Sequence, residues 1–363
     1  MNNQVNETMI LFENFSEESR NFWVFIYLKV RCIRFYADFV SFTICFVGFF
    51  ANIVHLIILS QKSMRNLSVN VFFIGIAICD TIRLLLIIIS FIIYFYYIFQ
   101  ASFIHEKCTS PTSHSMLLLA VLSSSIRNLL KISMWFASIM GVFRALFIRY
   151  PFNKIVISLM TIKNSIRTSI LITLLILPFW YTSFIKIREN PKWIWKPPSD
   201  CPGFSKNFTQ IVYIVEKIVI LVDVIVFKLL PSIILTITAI LLTFQLKKQK
   251  IRSIPVWNQQ SKIQTTRTTK LVIIETVMFL IPTLIKGTLY LSRFFVYKCV
   301  GLTDIIDNLA IIFTLLTNIN GSIHLLICYL MATNYRNAAK QLFRWKGNKK
   351  NTILIQYIKH FQK

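Results

Sequence analysis

The chain has 363 residues, 55% hydrophobic and 15% charged, with a formal net charge of +26 from 40 Lys+Arg against 14 Asp+Glu. Soluble domains carry about 25% charged residues, so this composition excludes a large soluble domain and describes membrane material along most of the chain. In so apolar a chain the basic excess points to loops on the cytoplasmic face of a membrane rather than to nucleic acid.

The acids support that choice. None of them lies in the four basic stretches 62–65, 149–167, 247–267 and 336–363. Such segregation of charge is what the positive-inside rule produces, and it assigns those stretches to the cytoplasm.

From the N-terminus, the first 20 residues are polar and acidic. They show no basic segment leading into a short apolar one, so no cleavable signal is expected and the first span serves as the insertion signal. Residues 1–35 read as an extracellular tail, 36–331 as the membrane domain and 332–363 as a basic cytoplasmic tail. Glycosylation sequons stand at Asn6, Asn14 and Asn207, all on the outside in this topology. Asn66 and Asn320 also head sequons, but the topology puts them in a cytoplasmic loop and a membrane helix, where no sugar is expected.

Seven apolar spans are predicted, at 36–60, 69–98, 115–148, 166–188, 211–246, 268–292 and 305–331. About 20 apolar residues in a helix cross the hydrocarbon core. The fold class is therefore an all-α membrane protein, a seven-helix bundle with its N-terminus outside. Pro178, Pro231 and Pro282 fall inside spans four, five and six and should bend them. After span seven, Tyr335, Leu342 and Phe343 share one face with Arg336, Lys340 and Arg344 at its rim, the pattern of a short amphipathic helix on the inner leaflet. A floppy basic tail is the competing reading.

Of seven cysteines, Cys45, Cys79 and Cys328 lie mid-span and read as packing residues. Cys108 and Cys201 lie in outer loops on the oxidising side, where a bridge would pin the second outer loop to span three. Cys32 and Cys299 are also outside and offer a second bridge; two free thiols is the alternative.

Polar groups inside the spans form two sets. Asn52, Asp80, Asn318 and Asn320 lie at compatible depths toward the inner half. A buried aspartate needs a partner, water or an ion, so the set is either a cation-binding cluster or a static polar clamp. Arg127, Lys131, Asp223 and Lys286 lie further out, with His324 deeper. They form either a ligand pocket of net positive character, suited to a carboxylate or a polar peptide, or internal ion pairs such as Lys131 with Asp223. No GxSxG, HExxH or phosphate-binding glycine loop occurs, which argues against an enzyme. No repeated half and no Gly-Pro break supports a small-solute transporter.

Five stretches in order, SVNVFFIGIAICDTIRLL, ISMWFASIMGVFRALFIRYP, LLPSIILTI, TTKLVIIETVMFL and NGSIHLLICYLMATNYR, resemble the rhodopsin-like G-protein-coupled receptors. More narrowly they resemble the nematode serpentine receptors of class W, which are similar to FMRFamide-type peptide receptors. The resemblance covers roughly residues 30–345. It implies a plasma-membrane receptor with an extracellular ligand, a short neuropeptide first and an environmental small molecule second, and a heterotrimeric G protein as partner. It also implies coupling through Arg144, Ile148 and Pro151, a sodium ion at Asp80 with no other cofactor, and the Cys108–Cys201 bridge. The chain departs from the pattern at Phe143, where an acid usually restrains the arginine, and at Ala145, where a tyrosine stands. It departs again at Pro282, which has no tryptophan nearby, and at Gly321, where a helix-bending proline often stands.

Overall fold

A computed structural model describes residues 11–13, 15–65, 68–103, 113–189, 222, 224–251, 259–296, 299–332 and 334–342. The long helices are α1 (Glu17–Leu59), α2 (Ser68–Phe103), α3 (Ser113–Arg149), α4 (Ile162–Glu189), α5 (Leu230–Ile251, preceded by a π-helical turn at Ile225–Leu229), α6 (Gln259–Val296), α7 (Val300–Ile312) and α8 (Thr314–Met331). A further short helix, α9, covers 334–342. A helix satisfies its own backbone groups, which is why an apolar chain in lipid takes this form.

Among the described residues, α1, α2, α3, α5 with its π-turn, α6, and α7 with α8 are six units long and apolar enough to span a membrane. The fourth expected span falls on α4, which is helical but is not among the six. Its inner turns are hydroxyl-rich: Thr168, Ser169 and Thr173 each bond back to the carbonyl four residues earlier. Its outer face is apolar and exposed at Ile170, Leu171, Leu174 and Leu175, while Ile172 and Ile176 enter the core.

The core centres on α3. Met134, Phe136, Ala137 and Met140 pack with Phe72 and Ile76 of α2, Leu235 and Leu242 of α5, and Phe279 of α6. Burial of this kind orients the bundle, while exposed rows such as Ile233, Ile237, Ile240 and Phe244 on α5 suit a lipid surround.

Three local features add to the sequence reading. First, α1 begins at Glu17, well before residue 36. Its two acidic residues in the first turn complement the helix dipole. On this extension Val24 and Val30 cluster with Phe12 and with Ile305 of α7. Second, the last span is two helices meeting at Phe313 rather than one continuous helix. Third, α6 runs unbroken through Pro282 and α4 through Pro178.

At the basic end, α9 buries Tyr335, Ala338 and Ala339 and exposes Lys340. The Tyr335 hydroxyl lies 2.7 Å from His55 Nδ1, tying α9 to α1.

Candidate functional site

The inner polar set is built around a residue that sequence reasoning missed. Arg83 follows Asp80 by three positions, so both lie on one face of α2. Arg83 Nε donates to Asp80 Oδ1 (3.2 Å), its Nη1 donates to Asn318 Oδ1 (2.7 Å) and its Nη2 donates to the Thr317 carbonyl (3.3 Å). The second Asp80 oxygen faces His324 Nε2 at 3.1 Å, and the His324 ring stacks on Phe279. Arg83 and Asp80 are 2% and 1% exposed, so the pair is fully withdrawn from solvent.

Gly321 makes this possible. A side chain there would collide with Arg83 Nη2 and press on the Asp80 carboxyl. The glycine therefore admits a guanidinium between α2 and α8, and this explains its place in the sequence better than a bend does.

A sodium ion at Asp80 would have to share the carboxylate with Arg83 and His324. Asp80 Oδ1 is committed to Arg83, Oδ2 to His324, and Asn318 Oδ1 to Arg83 again. The cation at this carboxylate is a side chain of the protein itself.

The other expected members of the set act as helix clamps. Asn318 Nδ2 donates to Ser41 Oγ on α1 (2.7 Å), and Asn52 Nδ2 donates to the carbonyls of Gly48 (3.0 Å) and Gly321 (2.6 Å). Asn320 is buried nearby.

Further toward the N-terminal end, Lys131 and Lys286 are brought together with Lys228, which sequence reasoning also missed. Lys131 Nζ stands over the Phe227 ring at 4.8 Å, and Lys228 Nζ over the Tyr290 ring at 3.5 Å. Lys286 Nζ donates to Thr317 Oγ1 at 3.2 Å. Arg127 lies one turn farther out on α3 with its side chain exposed. Asp223 lies outside the described residues, as do Cys108, Cys201, Asn6, Asn14 and Asn207.

Cys32 and Cys299 are free thiols, so the second bridge is not formed. Cys299 packs against the Val30 cluster, whereas Cys32, two residues past Val30, is exposed. Two residues turn a helix by about 200°, which carries the Cys32 side chain away from that cluster.

At the basic end of α3, Arg144 is buried at 7% exposure. Phe143, in the position of the missing acid, packs edge-on against Phe72 of α2 at 5.5 Å. Gln245 Nε2 of α5 donates to the Ala145 carbonyl (3.3 Å). Ile148 packs on the core and Pro151 is exposed. Asn153 then caps a short helix, Lys154–Leu159, by accepting from Ile155 N and Val156 N. That turn leaves Phe152 92% exposed and Ile155 71% exposed beside Arg144's helix.

Among the described residues, six apolar units long enough to cross a membrane, packed around a buried Arg83–Asp80 pair, define a multi-pass membrane protein. The chain belongs to the family described as serpentine type 7TM GPCR chemoreceptor Srw, whose family model matches residues 39–346. No curated protein matches the chain. Membership in this family makes the protein a receptor rather than an enzyme, and among the described residues no group of His, Cys, Asp and Glu is placed to hold a metal ion.

Proposed function

We propose that the protein is a seven-span chemoreceptor at the plasma membrane, with α4 as the fourth span and its N-terminus outside. It senses a small extracellular molecule and activates a heterotrimeric G protein. The observation that carries this reading is the family match over 39–346, whose description names chemoreceptors. That description moves the reading from a short neuropeptide to an environmental small molecule.

The coupling end is built from Arg144, Ile148 and Pro151. Phe143 packs on Phe72, so the position usually held by an acid is apolar here, and elevated basal signalling is the reading that this replacement supports. The exposed Phe152 and Ile155 give the G protein an apolar foothold, and α9 lies on the inner leaflet with Lys340 toward lipid headgroups.

In cells expressing the full chain, ligand-free G-protein activation should rise with receptor dose. It should fall about tenfold or more in Arg144→Ala, the cost of deleting one charge-assisted contact in the complex. Equal signal at equal surface expression would remove Arg144 from this role. The outward topology also calls for the Cys108–Cys201 bridge and for sugars at Asn6, Asn14 and Asn207. Non-reducing peptide mapping should find 108 joined to 201, and recovery of both as free thiols would sink the bridge.

A further inference from the structure

Helix α1 is longer than a membrane is thick. It has 43 residues. At 1.5 Å per residue these run about 64 Å, against roughly 45 Å for a bilayer with its headgroups. Leu59 and Ser60 close the helix just before the basic stretch 62–65, so the surplus lies at the other end. Roughly a dozen residues there, Phe22 and Phe25 among them, stand beyond the headgroups.

One face of α1 is exposed from residue 22 to residue 50. Phe22, Phe25, Tyr36, Phe39, Phe46 and Phe50 lie on it, each between 44% and 65% exposed. Lys29, Cys32 and Thr43 fill the gaps and are exposed too. The row therefore advances by alternating steps of three and four, which is the spacing of a coiled-coil seam. The opposite face is already committed: Val24 and Val30 cluster with α7, and Ser41, Cys45, Gly48 and Asn52 are buried in the bundle. Lipid accounts for an exposed row only as far as lipid reaches. The α5 row of Ile233, Ile237, Ile240 and Phe244 is of that kind, since it lies inside a 21-residue span. The α1 row instead keeps its spacing and its aromatic character out into water, where a contiguous apolar stripe marks a protein contact.

We propose that two copies of the chain pair in parallel through this face of α1. Both copies enter the membrane in the same direction, so a two-fold axis along the membrane normal sets each position of the row opposite its own counterpart. The area suffices. Six aromatic side chains, each about half exposed, offer roughly 600 Å² a side, against about 800 Å² per partner in a standard interface. Flanking Ile33, Val40 and Val47, all exposed, add to it. Lys29 folds its ammonium over the Phe25 ring at 5.5 Å, and a single lysine in such a seam fixes register at some cost in stability. Cys32, an exposed free thiol, falls in the middle of the row. Helices packed about 8–10 Å apart, with Cα atoms about 2.3 Å off each axis, bring facing Cα atoms to roughly 4–6 Å. That overlaps the separation of about 4.4–6.8 Å that a disulfide spans, so Cys32 is a built-in reporter of the pairing. The pairing does not depend on what the receptor senses.

The test uses the full-length chain in cell membranes, treated with copper phenanthroline as thiol oxidant and run on non-reducing gels. Stepwise photobleaching of fluorescently tagged receptor counts copies without any cross-link. The wild type should give a reducible dimer and two-step particles. Cys32→Ser should lose the cross-link and keep the two-step particles. Adding Tyr36→Cys to Cys32→Ser should restore the cross-link. Adding Arg31→Cys instead should not, because that exposed position is turned about 100° from residue 32. Phe22→Glu with Phe25→Glu should cut both readouts about tenfold or more, since aromatic contacts are lost and like charges meet across the axis. Surface expression shows that each variant folds, and the cysteine pairs decide the matter if the glutamate variant does not. Single-step particles in the wild type would mean that lipid or the chain's own segments cover this face, and would overturn the proposal. So would cross-linking through position 31 equal to that through 32, or dimers indifferent to the two glutamates.

Discussion

Replacing Arg83 by alanine should cost the receptor about 3–5 kcal/mol, the usual penalty for stranding one member of a buried ion pair. That is a large share of the roughly 5–15 kcal/mol that holds a typical domain folded. Asp80, at 1% exposure, would keep only His324 as a partner, and Asn318 and the Thr317 carbonyl would each lose a donor. The expected result is a sharp drop in surface expression and in melting temperature. Arg83→Leu combined with Asp80→Asn should recover most of it, because removing both charges leaves no orphan. The wild-type protein should melt at the same temperature in sodium and in potassium chloride, since its carboxylate already has a cation. A sodium-dependent rise in the wild type, or an Arg83→Ala variant as stable as the parent, would contradict the arrangement.

Gly48→Val is expected to be the second costly change. A carbon added at Gly48 falls 2.5 Å from Ser322 Cβ and 3.1 Å from Ser322 Cα, so part of the collision is with the backbone of α8. A side chain can swing aside, but a helix backbone moves only by separating α1 from α8. That separation would also stretch the Ser322 hydroxyl's bond to the Ile44 carbonyl (3.3 Å) and the Asn52 bond to Gly321 (2.6 Å). Overpacking of this sort costs about 1–3 kcal/mol. Melting curves should show it, and Ser322→Gly in the same chain should return part of the loss. A neutral Gly48→Val would mean that α1 and α8 are not held at this distance.

Much of this was readable in the residues, and the misses have particular causes. Hydropathy and the absence of acids from basic loops marked where helices run, because lipid leaves an apolar chain no other backbone arrangement. Asp80 announced that it needed a partner. The partner went unnoticed because Arg83 sits in a strongly apolar run, although its spacing of three from Asp80 was the signal. Lys228 was hidden differently: only the packing of Gly287 shows that it shares a level with Lys131 and Lys286. Where α1 begins was not legible either, since its extension is settled by Phe12 and Ile305, residues far apart in sequence. The thiols of Cys32 and Cys299 looked compatible by topology alone, and helix phase separates them.

The widened turn at Ile225–Leu229 gives α5 two registers. The Leu230 N–H reaches back five residues to the Ile225 carbonyl, directly before Pro231, which has no N–H to offer. Val224, just outward of that turn, is rotated by about one residue, some 100°, against the helix inward of it. Phe227 and Lys228, which lie within the turn, are thereby geared separately from Leu235 and Leu242 on α5. Gain or loss of a single residue in this turn would present a different side chain to the bundle at this level and leave the packing of Leu235 and Leu242 in place.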